Sequence, residues 1–224
     1  MSHEIRTPLH GVKGALQIIE GKPLTTELAT LVKIALRSIK TMSLLVDDIL
    51  DFSKVEAGKI QITPRTFSMD VLLDSLYQEF KNIAYDKHLE FEFKKHLNSD
   101  IWIGDDLRIK QIFANLISNA IKFTRVGCVT LEIKGADDGI VFTVTDSGIG
   151  MTESGLSVLF NRFEQADTSI TRSFGGSGLG MSITKSLIEL MGGSIHTESE
   201  INKGSCFTVS LPLVPVDQEL AVNK

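Results

Sequence analysis

His3 is followed directly by Glu4, in a stretch that reads Ser2-His-Glu-Ile-Arg-Thr-Pro-Leu9. A histidine near its neutral pKa is a competent nucleophile when an adjacent carboxylate takes up or orients its second ring proton, and Glu4 is placed for that. Pro8 has no N–H to give the Glu4 carbonyl, so a helix kinks there and leaves His3 accessible on its flank. A solvated His-Glu pair at a fraying terminus would look the same. His10, His88, His96 and His196 have no carboxylate beside them in sequence and read as surface or packing residues.

A second grouping runs from Asp146 to Gly180. It holds Asp146-Ser-Gly-Ile-Gly150, a polar and aromatic run, and Gly175-Gly-Ser-Gly-Leu-Gly180. Glycine serves where backbone turns sharply or must touch a ligand, and the helix N-terminus after the second cluster offers unpaired N–H groups to phosphate. Asp146 closes an apolar strand, where a carboxylate would accept a hydrogen bond from a base amino group; buried without a partner it would be costly. Glycine runs also make plain turns and helix ends, so this run alone is weak evidence. A third grouping spaces Arg108, Gln111, Asn115, Asn119 and Lys122 three or four apart on one helix face. Amide oxygens coordinate Mg2+ and lysine neutralises phosphate, whereas a merely solvated stripe would do as well with Glu and Lys. The opposite face, Leu107, Ile112, Leu116 and Phe123, is expected to bury.

The elements that position these groups follow from hydrophobic rhythm. Ile5, Leu9, Val12, Leu16 and Ile19 form one helical seam, broken by Gly21-Lys-Pro-Leu-Thr25. A second helix carries Leu28, Val32, Ala35, Ile39, Met42, Val46 and Ile49, with a companion row at Leu31, Ser38, Leu45 and Phe52. Two seams on one helix exceed what a hairpin covers, which points to a dimeric four-helix bundle. Lys54 to Pro64 reads as a helix end and linker, with a boundary near residue 62. Beyond it, helices are predicted over 70–85, 105–123 and 181–191, and strands over 89–93, 128–134, 140–145, 194–198 and 206–211. Five or so strands with three helices on one side make a two-layer α/β sandwich. The tail after Pro212 shows little pattern and reads as loose.

Composition bounds the alternatives. The chain has 224 residues, 42% hydrophobic and 23% charged, with a net charge of −5. That is ordinary globular composition without a basic footprint for nucleic acid. Cys128 and Cys206 lack metal spacing and read as small core residues of a reduced, cytoplasmic chain. No apolar run reaches the roughly 18 to 20 residues of a membrane span, so no membrane contact is expected of this stretch, whatever anchors a parent protein at an inner membrane.

The motifs together resemble those of two-component sensor histidine kinases. Ser2 to Leu9 resembles their H box, Asn115 to Thr124 the N box, Asp146 to Gly150 the G1 box, Phe160 to Phe163 the F box and Gly176 to Gly180 the G2 box, in order and across nearly the whole chain. Asp51-Phe-Ser-Lys-Val-Glu-Ala-Gly58 is similar to hybrid kinases, whose core precedes a receiver domain; no receiver pattern appears before Lys224. The chain starts two residues before His3, where the family's first helix runs on upstream, so the resemblance implies a core cut from a longer parent.

The resemblance implies an α + α/β chain. A helical hairpin forming a dimeric four-helix bundle is followed by a two-layer α/β sandwich of the Bergerat type shared with gyrase, Hsp90 and the mismatch-repair ATPases. Residues 1–62 would be the dimerisation and histidine phosphoacceptor hairpin, 63–214 the ATP-binding catalytic domain, and 215–224 a tail or linker. His3 would be the phosphoacceptor and Glu4 its proton partner. Thr7 would orient water for dephosphorylation of a receiver, unless it only caps or packs at the Pro8 kink. Asn119 would hold Mg2+ with Asn115 beside it, Lys122 would meet phosphate and Phe123 would line the site. Asp146 would read adenine, with Gly148 and Gly150 letting the base lie close. Gly176, Gly178, Leu179 and Gly180 would form the hinge of a lid over 163–177, in which Phe163, Gln165 and Arg172 contact nucleotide and which orders on binding. The implied function is ATP-dependent autophosphorylation and transfer to the receiver domain of a response regulator, in the same parent chain or separate. The implied cofactors are ATP and Mg2+ and the implied assembly is a homodimer. The alternatives are a catalytically weak ATP-binding dimerisation scaffold and an ATP-hydrolysing machine of the gyrase sort. The second of these is disfavoured because no water-activating glutamate stands at the family's place in the helix from Asp105.

Overall fold

The structure is a computed structural model that describes residues 2–162, 164 and 178–216, with side chains described from Thr7 onward except that of Leu44. The chain divides into two compact units, Met1–Ile60 and Gln61–Lys224.

The first unit is a helical hairpin of α1 (Ser2–Glu20) and α2 (Thr26–Glu56). Pro8 lies inside the unbroken α1. Thr25 caps α2 by accepting from the Leu28 N–H at 3.3 Å, and the helix ends where Gly58 takes φ +60. Lys59 N–H then donates to the Lys54 carbonyl at 2.8 Å, which closes the last turn. Among the described side chains of α1 and α2, Val32 is buried, while Leu31 and Ile34 are each 57% exposed and Val12, Ile18, Leu28, Met42 and Ile49 are exposed too. Two helices offer each other one stripe apiece, so apolar residues of both rows of α2 stay uncovered, Leu28, Met42 and Ile49 in the first and Leu31 and Leu45 in the second.

The second unit is an α/β sandwich. It contains β1 (Arg65–Ser68), α3 (Met69–Asp86), β2 (Glu90–His96), β3 (Ile101–Gly104), α4 (Asp106–Phe123), β4 (Cys128–Ala136) and β5 (Gly139–Asp146). It continues with α5 (Glu153–Val158), α6 (Gly180–Leu190), β6 (Ser194–Glu200), β7 (Gly204–Leu211) and β8 (Val214–Pro215). The main sheet has the order β2-β4-β5-β7-β6; β2 runs parallel to β4 and the other pairs are antiparallel. Alternate residues Val129, Leu131, Ile133, Ile140, Phe142, Val144, Phe207, Val209 and Leu211 bury one face. Against it α4 buries Ile109, Ile112, Phe113, Leu116, Ile117, Ala120 and Ile121, and the Phe113 and Phe142 ring centroids lie 3.9 Å apart.

Four expectations need correction. A second sheet, ordered β1-β3-β8, stands beside the predicted strands. The stretch after Pro212 is not loose up to Val216, because Val214 and Pro215 pair with Ile103 and Trp102 and Val216 N–H donates to the Ile101 carbonyl at 2.8 Å. Leu107 does not bury: it is 63% exposed at the first turn of α4, while Ile109 takes its place in the core. Asp105 holds that corner together, accepting from Arg108 N–H at 3.1 Å as the helix cap and from Thr63 N–H at 2.9 Å. The half-buried Cys128 and Cys206 also lie outside the core, as free thiols.

Candidate nucleotide site

Asp146 ends β5, where the strand's inward alternation carries its carboxylate into the sandwich at 6% exposure. Burial holds its carboxyl above the ordinary carboxylate range, opposed by N–H donation from the backbones of Gly148 and Ser205. The Gly148 bond measures 2.8 Å. Two glycines shape the loop that follows. A Cβ on Gly148 would lie 2.6 Å from the Phe123 carbonyl oxygen, and one on Gly150, at φ +64, would lie 1.9 Å from the Glu200 carbonyl oxygen. Backbone here runs too close to its neighbours for any side chain.

The polar stripe of α4 is half-buried and turned toward α6. Asn115 Nδ2 donates to Thr184 Oγ1 at 2.6 Å, Asn119 Nδ2 approaches Met181 Sδ at 3.4 Å, and Arg108 Nη1 donates to Gln111 Oε1 at 2.8 Å. Lys122 rests over the Phe123 ring at 4.8 Å; burial, and then the charge of Lys87, lower its pKa. Gly178 adopts φ +70, Leu179 is buried, and a Cβ on Gly180 would come within 2.9 Å of Asn115 Oδ1. Leu179 precedes α6 as its N-cap residue and has no polar side chain with which to cap it. The arrangement therefore brings a buried carboxylate, a carboxamide pair, a lysine and a helix N-terminus to one end of the sandwich. These are the groups that a purine, a triphosphate and a hard cation require. Among the described residues no three of His, Cys, Asp and Glu stand together as a ready metal site. A surface groove of about 520 Å3 between α3 and β2, lined by Leu73, Tyr77, Phe91 and Phe93 among others, shares no residue with this site.

Of the predicted residues, Asn115, Asn119, Lys122, Phe123, Asp146, Gly148, Gly150, Gly178, Leu179 and Gly180 all fall in the second unit, on α4, the β5 end or the start of α6. Phe163, Gln165, Arg172 and Gly176, and with them the expected lid, lie outside the described residues. His3 and Glu4 lie in the first turn of α1 with Thr7 exposed one turn on. Two other histidines have a carboxylate near in space though not adjacent in sequence: His96 Nε2 lies 3.4 Å from Glu132 Oε1 and His196 Nε2 3.7 Å from Glu198 Oε1, both on the sheet surface. The sequence shows Asn202-Lys-Gly204 as the turn between the last two strands but not the part that turn plays beside Asp146. Ser205 is buried beside Asp146, Met151 N–H donates to Ser199 Oγ at 2.8 Å, and Asn202 N–H donates to the Ile149 carbonyl at 2.8 Å. The signal was the short turn Asn202-Lys-Gly204 between two hydroxyl-bearing strands.

Comparison with known proteins agrees with this geometry. Residues 104–215 match the family of histidine kinase-, DNA gyrase B- and HSP90-like ATPases, and residues 1–58 match the His Kinase A phospho-acceptor domain. The autoinducer 2 sensor kinase/phosphatase LuxQ of Vibrio cholerae is 36% identical over 223 residues, covering 97% of this chain and 26% of LuxQ. The circadian input-output histidine kinase CikA of Synechococcus elongatus is 40% identical over 218 residues, covering 95% and 29%. The chain thus spans about a quarter of the length of these relatives. Full-length ShkA, solved in complex with AMPPNP, superposes with a TM-score of 0.79 at 29% identity over 96% of this chain and 45% of ShkA. The chain belongs to the sensor histidine kinases, of which it is a catalytic core carrying the family's ATP-binding domain. Among the described residues, no helix is long and apolar enough to cross a membrane.

Proposed function

We propose that the chain autophosphorylates on His3 with Mg2+-ATP and passes the phosphoryl group to an aspartate of a response-regulator receiver domain. The observation that carries the reading is the buried Asp146 carboxylate beside glycines with no room for a Cβ, at the end of the sandwich where Asn115, Asn119 and the start of α6 converge. Asp146 accepts from the adenine amino group while Gly148 and Gly150 admit the base edge. Lys122 and the α6 N-terminus neutralise phosphate, and the Asn119 carboxamide oxygen would hold the cation. Mg2+ would draw charge from the phosphate oxygens as the bond to the leaving group breaks. One ring nitrogen of His3 attacks the γ-phosphorus, so that a P–N bond forms as the bond to ADP breaks, and Glu4 steadies the second ring proton. Residues 1–62 serve as the dimerisation hairpin in a homodimer, which the uncovered apolar face of α1 and α2 favours. Residues 63–214 serve as the catalytic domain, with Phe163, Gln165, Arg172 and Gly176 on a lid. Thr7 orients water for the reverse, dephosphorylating reaction.

Incubation with γ-labelled ATP and Mg2+ tests the reading. Acid-labile, base-stable label should appear on the wild-type chain and vanish in His3→Gln. Label that survives in the variant would overturn it, and nucleotide binding without any label would leave a dimerising scaffold.

A further inference from the structure

The last four carbonyls of an α-helix have no partner within it and must be satisfied from outside. In α4 each has one, and two of the four share a single side chain. The Ala120 carbonyl accepts from Thr124 N–H at 3.1 Å and Oγ1 at 2.7 Å. The Phe123 carbonyl accepts from Ile149 N–H at 3.3 Å, which ties α4 to the loop after Asp146. Between them, the Ile121 and Lys122 carbonyls both accept from Lys87 Nζ, at 2.7 and 3.1 Å. Lys87 belongs to another element, as the residue that closes α3. There His88 takes φ +58, and the bonds His88 N–H to Tyr85 O (2.9 Å) and Leu89 N–H to Ala84 O (3.0 Å) end the helix and fix the direction of the chain around Lys87. A cation at a helix C-terminus also meets the negative end of its dipole.

We propose that Lys87 is a positioning residue of the nucleotide site: by holding the Ile121 and Lys122 carbonyls it fixes the last turn of α4, and hence the place where the Phe123 carbonyl meets Gly148 and Ile149. The tolerance there is small, since the Gly148 backbone already leaves 2.6 Å between an added Cβ and that carbonyl oxygen. Asn119 and Lys122 sit on the same last turn, so its displacement reaches the phosphate end of the site as well as the base end. Lys87 itself touches no ligand.

The inference rests on the nucleotide reading above, and the test separates the two. Binding of AMPPNP with Mg2+ is measured by calorimetry on the full chain for wild type, Lys87→Met and, as the reference for lost binding, Asp146→Asn. Amide exchange at Ile149 is followed without ligand. A wild-type chain that binds no AMPPNP overturns the proposed function. If wild type binds, Lys87→Met should raise Kd about tenfold, the usual cost of losing an outer support of a site, and speed Ile149 exchange. An unchanged Kd and unchanged Ile149 exchange, even with a lower melting temperature, overturn the role of Lys87. Should Lys87→Met fail to melt cooperatively, Lys87→Arg, which keeps the charge but not the compact donor geometry, takes its place: a smaller loss in the same two readouts supports the role, and no change in either removes it.

Discussion

Asp146 shows what one buried residue costs and what it supplies. Two backbone N–H groups favour its ionised form, yet burial outweighs them and the carboxyl titrates above 3.8, its ordinary value. Below 3.8 the group is protonated in folded and unfolded chains alike. As pH rises from there the unfolded chain releases its proton first, so stability falls through the window up to the raised native value and then levels off. The unfolding free energy of ligand-free wild type relative to Asp146→Asn should therefore decline with pH across that window in urea melts. A rise with pH would mean that the two N–H donors prevail over burial. A base amino group donating to the carboxylate relieves part of the cost, so the residue that weakens the empty fold is suited to holding purine. This residue was legible because its chemistry is local: an acid closing an apolar strand before Gly148 and Gly150. Ser205 was not, because its contribution is a backbone N–H that any residue could offer.

At the scale of elements, α1 and α2 are amphipathic twice over. Leu31 and Leu45 stand 57% and 36% exposed in the hairpin, and burying one such side chain is worth about 1.5–3 kcal/mol. Replacing both by Glu should convert a dimer to a monomer in sedimentation velocity while helical circular dichroism is retained; a persistent dimer would place the interface on another face. The rhythm of these helices was readable because it repeats over many turns. The strands of the main sheet were readable because they alternate, as Val141 to Thr145 does. The second sheet escaped for a physical reason: β1, β3 and β8 are four residues or fewer, and their pairings join Arg65 to Gly104 and Trp102 to Pro215, far apart in sequence. Leu107 was misplaced because it lies off the helical period: Ile109, Ile112, Phe113, Leu116, Ile117 and Ala120 keep the three-or-four spacing of the core face, and Leu107, well before Ile112, does not.

The whole molecule is two compact units, with every described residue of the proposed nucleotide site in the second and His3 in the first. Residues 61–224 alone should melt cooperatively and bind AMPPNP with wild-type affinity, yet acquire no acid-labile label from ATP. Failure to melt cooperatively would show that the sandwich depends on the hairpin. The parallel pairing of β2 with β4 inside an otherwise antiparallel sheet has a bearing on time as well as shape. The β4–β5 hairpin closes across Asp137 and Asp138 and brings Asp146 opposite Val129 through contacts near in sequence. Strand β2 cannot join by zipping from a turn, because β3 and the whole of α4 intervene before Cys128 comes opposite Glu90. Local closures precede distant ones when chain entropy sets the order. The β4–β5 end of the site thus assembles early from a hairpin, and the Lys87 clasp, which immediately precedes β2, arrives later, when that edge closes across α4.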